Sequence, residues 1–534
     1  MRGSARARHD IMMPTSVIAH LVAGPLFLLS LHLTKFALER HLILDYCASL
    51  EVASCSDPAV TAAVAMWLRW VLTTETLCAL FTLPTYGAIS DNLKLRNPSS
   101  ATARVPLLVW QLGWLPLVPL VYLGQALLRL PHWVQLVGPV LAGVLGAQIN
   151  VFMPTWFCVR ADIFAVEGIP TPSGATSSLS HIAKGRAFLR MELALISANL
   201  IAGLVQQAVL QASEAGSELV ALHILYGVAI LCAAASAGLI GALGLCIAQT
   251  RPAEPTSKRG EDDAASKLSP KHAAAGALSF RELVALRSCG HLWRTLLSAA
   301  AAASPEQRRL ARWLLLVFAI ANSIGGMASV MTVLLSGLGW SARMISQRAA
   351  LDGAGQLCLV ALAMLGLEAA GSVEWIVALV AATSACGWAT LATGVALRSR
   401  GVQWASALIV GGWGPTIVMT RSMVVLYCPE AKLGTALAFL ALLDEAATAL
   451  GDFTFSTVLG VTAKLAPSTD AWIAAAAMLV CVCGALQLAT SDALRRSAVA
   501  TDDDRAAAVP LVSRVDSPAE SGSPQMRRSS NELL

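Results

Sequence analysis

The chain has 534 residues, of which 56% are hydrophobic and only 13% are charged. A soluble protein cannot bury so much apolar surface, so the composition excludes a soluble enzyme or binding domain. The formal net charge of +5 falls in loops and tails, where it indicates topology and not a nucleic-acid-binding surface. Apolar stretches of about 20 residues, separated by short polar turns, predict an all-α membrane protein.

The first half of the chain contains six predicted spans. The first, residues 14–33, follows three arginines; it is longer than a signal-peptide core and lacks a clear cleavage site, which predicts a retained helix. Residues 34–60 are expected to form an exposed polar loop. The next five spans are predicted at 61–83, 105–124, 133–157, 187–210 and 219–248.

Six further spans are predicted after a basic, proline-containing break, at 313–335, 349–367, 375–397, 404–427, 433–459 and 471–488. The expected organisation is a cytosolic N-terminal segment (1–13), an N-terminal six-helix bundle (14–248), a cytosolic central linker (249–312), a C-terminal six-helix bundle (313–490) and a disordered cytosolic tail (491–534). The tail is charged and rich in Ser, Pro and Asp, a composition that cannot form a packed core.

Basic residues are concentrated on one side of this arrangement, which predicts that both termini are cytosolic. The long polar tail suits a eukaryotic protein of the plasma membrane or the vacuolar membrane. Cys47 and Cys55 share the first large loop, and whether they form a disulfide depends on that loop being non-cytosolic.

The polar run from Tyr86 to Arg96 lies between the second and third predicted spans and is expected to form a hairpin turn. Gly87 allows close helix approach, Asp91 can accept hydrogen bonds at a helix N-terminus, and Arg96 favours the cytosolic side. The run resembles the Gly-x-x-x-Asp-Arg-x-Gly-Arg-Arg signature of the major facilitator superfamily. Departures from that signature occur at Asn92, Lys94 and Leu95.

Other segments are similar to the same superfamily. Asp162 and Arg186 fall on its fourth-to-fifth loop pattern, Arg421 on a Gly-rich Arg-Ser segment, and Glu445 on a carboxylate in the eleventh span. The resemblance implies about twelve transmembrane helices in two six-helix pseudo-repeats, in a fungal-type branch related to proton-coupled folate transporters. It implies gating roles for Gly87, Asp91, Arg96, Asp162, Arg186 and Arg421. The second half lacks a matching signature, because residues 367–374 are short and acidic.

Ionisable groups inside a membrane cost about 3 kcal/mol on insertion scales, so they usually face a cavity or a partner. The cavity and proton candidates are Arg69, Glu75, Asp352, Gln356 and Glu445. Arg69 and Glu75 are six positions apart and are not expected to pair. Asp352 and Gln356 are one turn apart and can face the same cavity. For each acid, a structural pair with another helix is the open alternative.

Two further side chains allow more than one interpretation. Arg421 could bind an anionic substrate, but a gate ion pair is favoured. Asp91 is expected to cap the eleventh helix near residues 432–435. Asp444 and Glu445 are adjacent, so at most one of them is expected to line a cavity.

The sequence therefore predicts a secondary active transporter that moves a small solute by alternating access and is proton-coupled. Its expected partners are the solute, protons and the lipid bilayer, with no nucleic acid, cofactor or metal, and it is expected to function as a monomer. No nucleophile motif indicates an enzyme. A drug or toxin efflux carrier and a non-transporting membrane sensor are the alternatives. Substrate, direction and coupling ion stay open.

Overall fold

The computed structural model describes residues 2–96, 103–166, 178–213, 217–250, 305–370, 373–427 and 433–507. Within these ranges every regular element is helical, which confirms the predicted all-α class. By length and composition, ten helical segments of this part of the chain can cross a membrane.

The helices of the first half are α1 (Arg2–Ser49), α2 (Pro58–Arg96), α3 (Val105–Trp114), α4 (Leu117–Leu128), a 3-10 helix (His132–Leu136), α5 (Val137–Leu145), α6 (Ile149–Val166), α7 (Ser178–Ala212) and α8 (Glu218–Thr250). Those of the second half are α9 (Pro305–Ser323), α10 (Gly325–Gly337), α11 (Ala342–Ala370), α12 (Val373–Ala396), α13 (Arg400–Val410), α14 (Trp413–Tyr427), α15 (Leu433–Thr462) and α16 (Thr469–Ala507).

Several predicted spans consist of two helices with a local break. Pro116 separates α3 from α4, because a proline lacks the amide hydrogen that a helix interior needs. Gly146, with φ of +79°, ends α5 in the left-handed conformation before α6 begins. The pairs α3–α4, α5–α6, α9–α10 and α13–α14 therefore each correspond to one predicted span, in agreement with the predicted pattern of about twelve.

The predicted loop at residues 34–60 is wrong for most of its length. Helix α1 continues to Ser49, and Thr34, Glu39, Arg40 and His41 are buried within the bundle. Only the segment between Ser49 and Pro58 connects α1 to α2. Hydropathy alone ended the first span too early, because charged side chains that have partners inside a bundle look like a loop in sequence.

Other predicted turns are also helical. The expected hairpin turn at residues 86–96 is the last part of α2, and the expected fourth-to-fifth loop is shortened by α6 to Val166 and by α7 from Ser178. Helix α16 passes the predicted boundary at residue 490 and ends at Ala507. The central linker lies outside the described residues between Thr250 and Pro305.

Two helix pairs make the most extensive packing contacts between the first and second halves: α2 with α15, and α7 with α11. The α7–α11 pair is close enough for backbone contact. A Cβ atom added at Gly353 would lie 2.5 Å from the Leu200 nitrogen, and one added at Gly203 would be 2.6 Å from the Ala350 Cα. Glycine at these positions allows the two helices to approach, as small residues do in membrane bundles.

Candidate functional site

One group of charged side chains connects the two halves in the interior. The group consists of Lys35 and Glu39 on α1, Glu75 on α2, Ser329 on α10 and Asp452 on α15, and is called the Lys35 cluster. The Lys35 Nζ donates a hydrogen bond of 2.9 Å to the Ser329 hydroxyl. Glu39, Glu75 and Asp452 all interact electrostatically with Lys35. Four helices thus meet around one ammonium group.

The carboxyl groups of this cluster are only partly satisfied. Thr332 lies beside Glu39, and Ser329 lies beside Asp452. The Glu39 Oε1 and the Asp452 Oδ1 are buried and accept no hydrogen bond from any described residue. Exposed fractions of 2% for Glu39 and 3% for Asp452 leave almost no access to solvent. Three carboxyl groups and two open acceptors therefore surround a single cation.

Glu445 lies on α15, as Asp452 does, but in a different environment. The Gln148 Nε2 donates to both carboxyl oxygens at 3.2 and 3.0 Å, and the Asn150 Nδ2 donates at 2.7 Å. The Thr76 side chain lies beside the same carboxyl group. The Gln148 Oε1 also accepts from the amides of Asn150 and Val151, at 2.8 and 3.1 Å, so it caps α6. The carboxyl group is therefore held at a helix N-terminus, where the helix dipole favours negative charge.

Asp444 points to another partner. It forms a buried ion pair with Arg421 of α14. The guanidinium group of Arg421 also lies over the rings of Phe157 and Phe318, at 5.9 and 5.7 Å from the ring centroids. Arg421 lines a small recess together with Met153, Pro154, Phe157, Leu440 and Ala441. The two adjacent acids of α15 thus face different helices.

A second polar group lies between α7 and the second half. It consists of Asn199 on α7, Arg348, Asp352 and Gln356 on α11, and Ser406 on α13, and is called the Asp352 cluster. The Gln356 Nε2 donates to the Asp352 Oδ2 at 3.1 Å, and the Asn199 Nδ2 donates to the Gln356 Oε1 at 2.8 Å. The Arg348 Nη2 donates to the Ser406 hydroxyl at 3.0 Å and interacts electrostatically with Asp352. Here one cation faces one carboxylate.

Arg69 lies away from both clusters. Its guanidinium group sits over the rings of Trp70 and Phe453, at 5.4 and 5.2 Å from the centroids. Both rings are about half exposed, at 56% and 51%. Arg69 is therefore beside the outer surface of the α2–α15 pair, and its predicted cavity role stays a prediction.

The signature residues fall on helices. Gly87 is half-buried in α2, next to Tyr86, whose hydroxyl donates to the Val144 carbonyl at 3.3 Å. Arg104 is buried directly before α3, and its Nε donates to the Ser90 carbonyl at 3.3 Å. The side chains of Asp91, Arg96, Asp162 and Arg186 lie outside the described part of the chain, as does the expected capping contact near residues 432–435.

A further contact between the two halves lies near the C-terminal end of α1. Arg40 of α1 pairs with Glu218 at 2.7 Å and donates to the Ser336 hydroxyl of α10 at 2.9 Å. A disulfide joins Cys47 to Cys55, whose Cα atoms are 5.1 Å apart. The pairing that the sequence left open is therefore present.

Sequence reasoning missed Lys35, Glu39 and Arg40 because they were placed in a loop. One signal was available: Lys35 and Glu39 are four residues apart, and Glu445 and Asp452 seven apart, so each pair lies on one helix face. Among the described residues, no group of three or more His, Cys, Asp or Glu side chains could hold a metal ion.

No protein-family model matches the sequence, and no curated protein matches it either. Solved structures do resemble the fold. The human organic anion transporter MFSD10 (TETRAN) is 15% identical, with 89% of this chain and 99% of that chain covered and a TM-score of 0.58.

Two other structures agree with it. A D-xylose-proton symporter is 14% identical over 90% of this chain and 97% of its own, with a TM-score of 0.55. An auto-inhibited POT family peptide transporter is 14% identical over 94% and 99%, with a TM-score of 0.53. At such identities the likeness shows the fold alone. The chain therefore has the fold of the major facilitator superfamily, with two bundles of membrane-spanning helices.

Proposed function

We propose that this protein is a secondary active transporter that moves a small solute by alternating access and is driven by protons. The Lys35 cluster is the observation that carries the proposal. It joins α1 and α2 to α10 and α15 through charged side chains in the interior. Ionisable groups in that position are costly and mark ion or substrate pathways.

The cluster couples charge to the contact between the halves. When a proton or solute changes the charge around Lys35, the attraction between α1–α2 and α10–α15 changes with it. A change in that attraction shifts the equilibrium between arrangements of the two bundles. Glu75 is the proposed proton carrier of this cluster, and Asp352 and Glu445 are the other candidates.

The resemblance in fold supports this proposal. The D-xylose-proton symporter is by its description proton-coupled, and the other two structures are transporters of an organic anion and of peptides. Placement in a fungal-type branch related to proton-coupled folate transporters stays a prediction from the sequence motifs.

Contacts at the two ends of the bundle suit gates. The Arg40–Glu218 pair with Ser336 would hold one end closed, and the Arg421–Asp444 pair beside Phe157 would hold the other. Gly87, Asp91, Arg96, Asp162 and Arg186 are proposed to gate the cytosolic face together with Arg421. The signature spacing of Gly87, Asp91 and Arg96 supports this role, as does the match of Asp162 and Arg186 to the fourth-to-fifth loop pattern.

The proposed orientation places both termini in the cytosol, in the plasma or vacuolar membrane. Two observations support it: the concentration of basic residues in the loops of one side, and the Cys47–Cys55 disulfide in the first loop of the other. Disulfides persist in non-cytosolic compartments. The protein is proposed to work as a monomer.

The test is flux of a solute panel in proteoliposomes with and without an inward proton gradient. A solute should accumulate only with the gradient, and Glu75→Gln should lose that dependence. Asp470→Asn is the matched control, because Asp470 is a buried acid at the start of α16 and outside the cluster. Gradient-independent flux would contradict proton coupling. Binding without flux would support the sensor alternative, and outward flux of apolar compounds the efflux alternative.

A further inference from the structure

We propose that the Lys35 cluster is a binding site for a solute that carries a primary ammonium group, and that Lys35 is the built-in counter-cation which this solute displaces. The inference rests on the proposed transport function and adds its substrate class. The argument uses the balance of charge, the open hydrogen-bond acceptors and the position of Lys35.

The balance of charge favours a cation. Glu39, Glu75 and Asp452 interact electrostatically with Lys35. Asp452 also interacts with both Glu39 and Glu75, and Glu75 with Glu445. Like charges repel each other in a protein interior. A positive group in the place of the Lys35 ammonium keeps these acids partly neutralised, whereas an anionic solute would increase the repulsion.

The open acceptors favour a donor of several hydrogen bonds. The Glu39 Oε1 and the Asp452 Oδ1 are buried and accept no hydrogen bond within the described residues. An unpaired buried acceptor costs about 1–3 kcal/mol, so a ligand that fills both gains this energy. A primary ammonium group has three N–H donors, as the lysine side chain does. A quaternary ammonium group has none and cannot satisfy these oxygens.

Lys35 already occupies the position that such a ligand needs. It is half-buried, reaches across from α1 and donates to Ser329 of α10. An ammonium group is compact and mounted on a flexible stem, so it can withdraw when a ligand with the same chemistry enters. The empty protein would then offset part of this negative charge with its own side chain.

Arg421 does not offer an equivalent anion site. Asp444 neutralises it in a buried ion pair, and two aromatic rings lie close to its guanidinium group. The earlier expectation that Arg421 could bind an anionic substrate therefore has less support than a cationic substrate at the Lys35 cluster.

The test is equilibrium binding of radiolabelled 1,4-diaminobutane to the purified full-length protein in detergent at a single neutral pH. Saturable binding is expected. It should be displaced by unlabelled 1,4-diaminobutane but not by tetramethylammonium or 1,4-butanediol, which lack N–H donors or positive charge.

Three variants sharpen the result. Glu39→Gln removes one acid and should weaken binding about tenfold, and Lys35→Gln removes the competing cation and should strengthen it by about the same factor. Asp470→Asn should leave binding unchanged. A cooperative thermal unfolding transition and a monodisperse profile identify the variants that are folded.

Two results would overturn the inference: a folded wild type and a folded Lys35→Gln variant that both fail to bind the diamine, or a Lys35→Gln variant that binds it more weakly. Proton-driven flux of a neutral or anionic solute without amine binding would overturn the substrate class and leave the proposed transport intact. Diamine binding without flux in proteoliposomes would support the site and contradict the transport function.

Discussion

The Lys35 cluster and the Asp352 cluster both connect the two halves of the molecule, but their charges differ. The first surrounds one ammonium group with three carboxyl groups, two of which keep an open oxygen. The second sets one guanidinium beside one carboxylate and adds hydrogen bonds that involve two amides and a hydroxyl, while the Asp352 Oδ1 also lacks a hydrogen-bond partner among the described residues. The first cluster thus has more acids than cations, whereas the second has one of each.

The largest expected effect on stability comes from removing the carboxylate of the Asp352 cluster. Asp352→Asn leaves Arg348 buried without a counter-charge, and removal of one partner of a buried pair costs about 3–5 kcal/mol. We expect a clear fall in the thermal unfolding temperature of the purified protein. An unchanged unfolding temperature would show that Arg348 does not depend on Asp352.

Overpacking of the α7–α11 contact should have the next largest effect. In Gly353→Ala the new Cβ meets the Leu200 backbone at 2.5 Å, which requires the helices to separate. Overpacking of this kind costs about 1–3 kcal/mol. Thermal unfolding should show the loss. Gly401→Ala is the control, because a Cβ there meets no atom within 4 Å; equal effects of the two variants would contradict the close approach.

Replacement of an Asp by Asn in the Lys35 cluster should reduce transport more than stability. Asp452→Asn leaves Lys35 with two carboxyl partners and removes the repulsion of Glu39 and Glu75 by Asp452, so we expect a smaller loss of unfolding free energy than in Asp352→Asn. Proton-driven flux should fall at least about tenfold, equivalent to 1.4 kcal/mol in the barrier. If Asp452→Asn destabilises the protein as much as Asp352→Asn does, the contrast between the clusters is wrong.

The smallest expected effects come from the hydroxyl groups that bind the two cations. Ser329→Ala removes the partner of Lys35, and Ser406→Ala removes the partner of Arg348. Each loss is worth about 1 kcal/mol, the typical value for a hydrogen bond. Only Ser329→Ala should also change flux, because the proposed displacement moves Lys35 and not Arg348. Parallel unfolding and flux measurements separate the two.

Much of the fold follows from the sequence, because the length and number of apolar stretches are set by the thickness of the membrane. Helix ends were harder to predict. Lys35, Glu39 and Arg40 lower the hydropathy after Leu33, yet their partners lie on α8, α10 and α15, far away in sequence. Only tertiary contacts show that these charges are compensated inside the bundle.

In the candidate site, too, some contacts follow from the sequence and others are visible only in the structure. The one-turn spacing of Asp352 and Gln356 was enough to place both side chains together, and they share a hydrogen bond. The different directions of Asp444 and Glu445 follow from their adjacency, because neighbouring residues on a helix are about 100° apart. The partner of Arg421 and the amide groups around Glu445 come from other helices, so spacing along one segment could not identify them.

Gln148 gives the break between α5 and α6 a mechanical meaning. Its side-chain oxygen accepts hydrogen bonds from the first amides of α6, while its side-chain nitrogen donates to Glu445 on α15. One side chain therefore caps the N-terminus of α6 and also binds a carboxyl group of the second half. Any rotation of α15 that moves Glu445 away must break its hydrogen bonds to Gln148 or loosen the first turn of α6. The start of α6 would therefore respond directly to motion of α15.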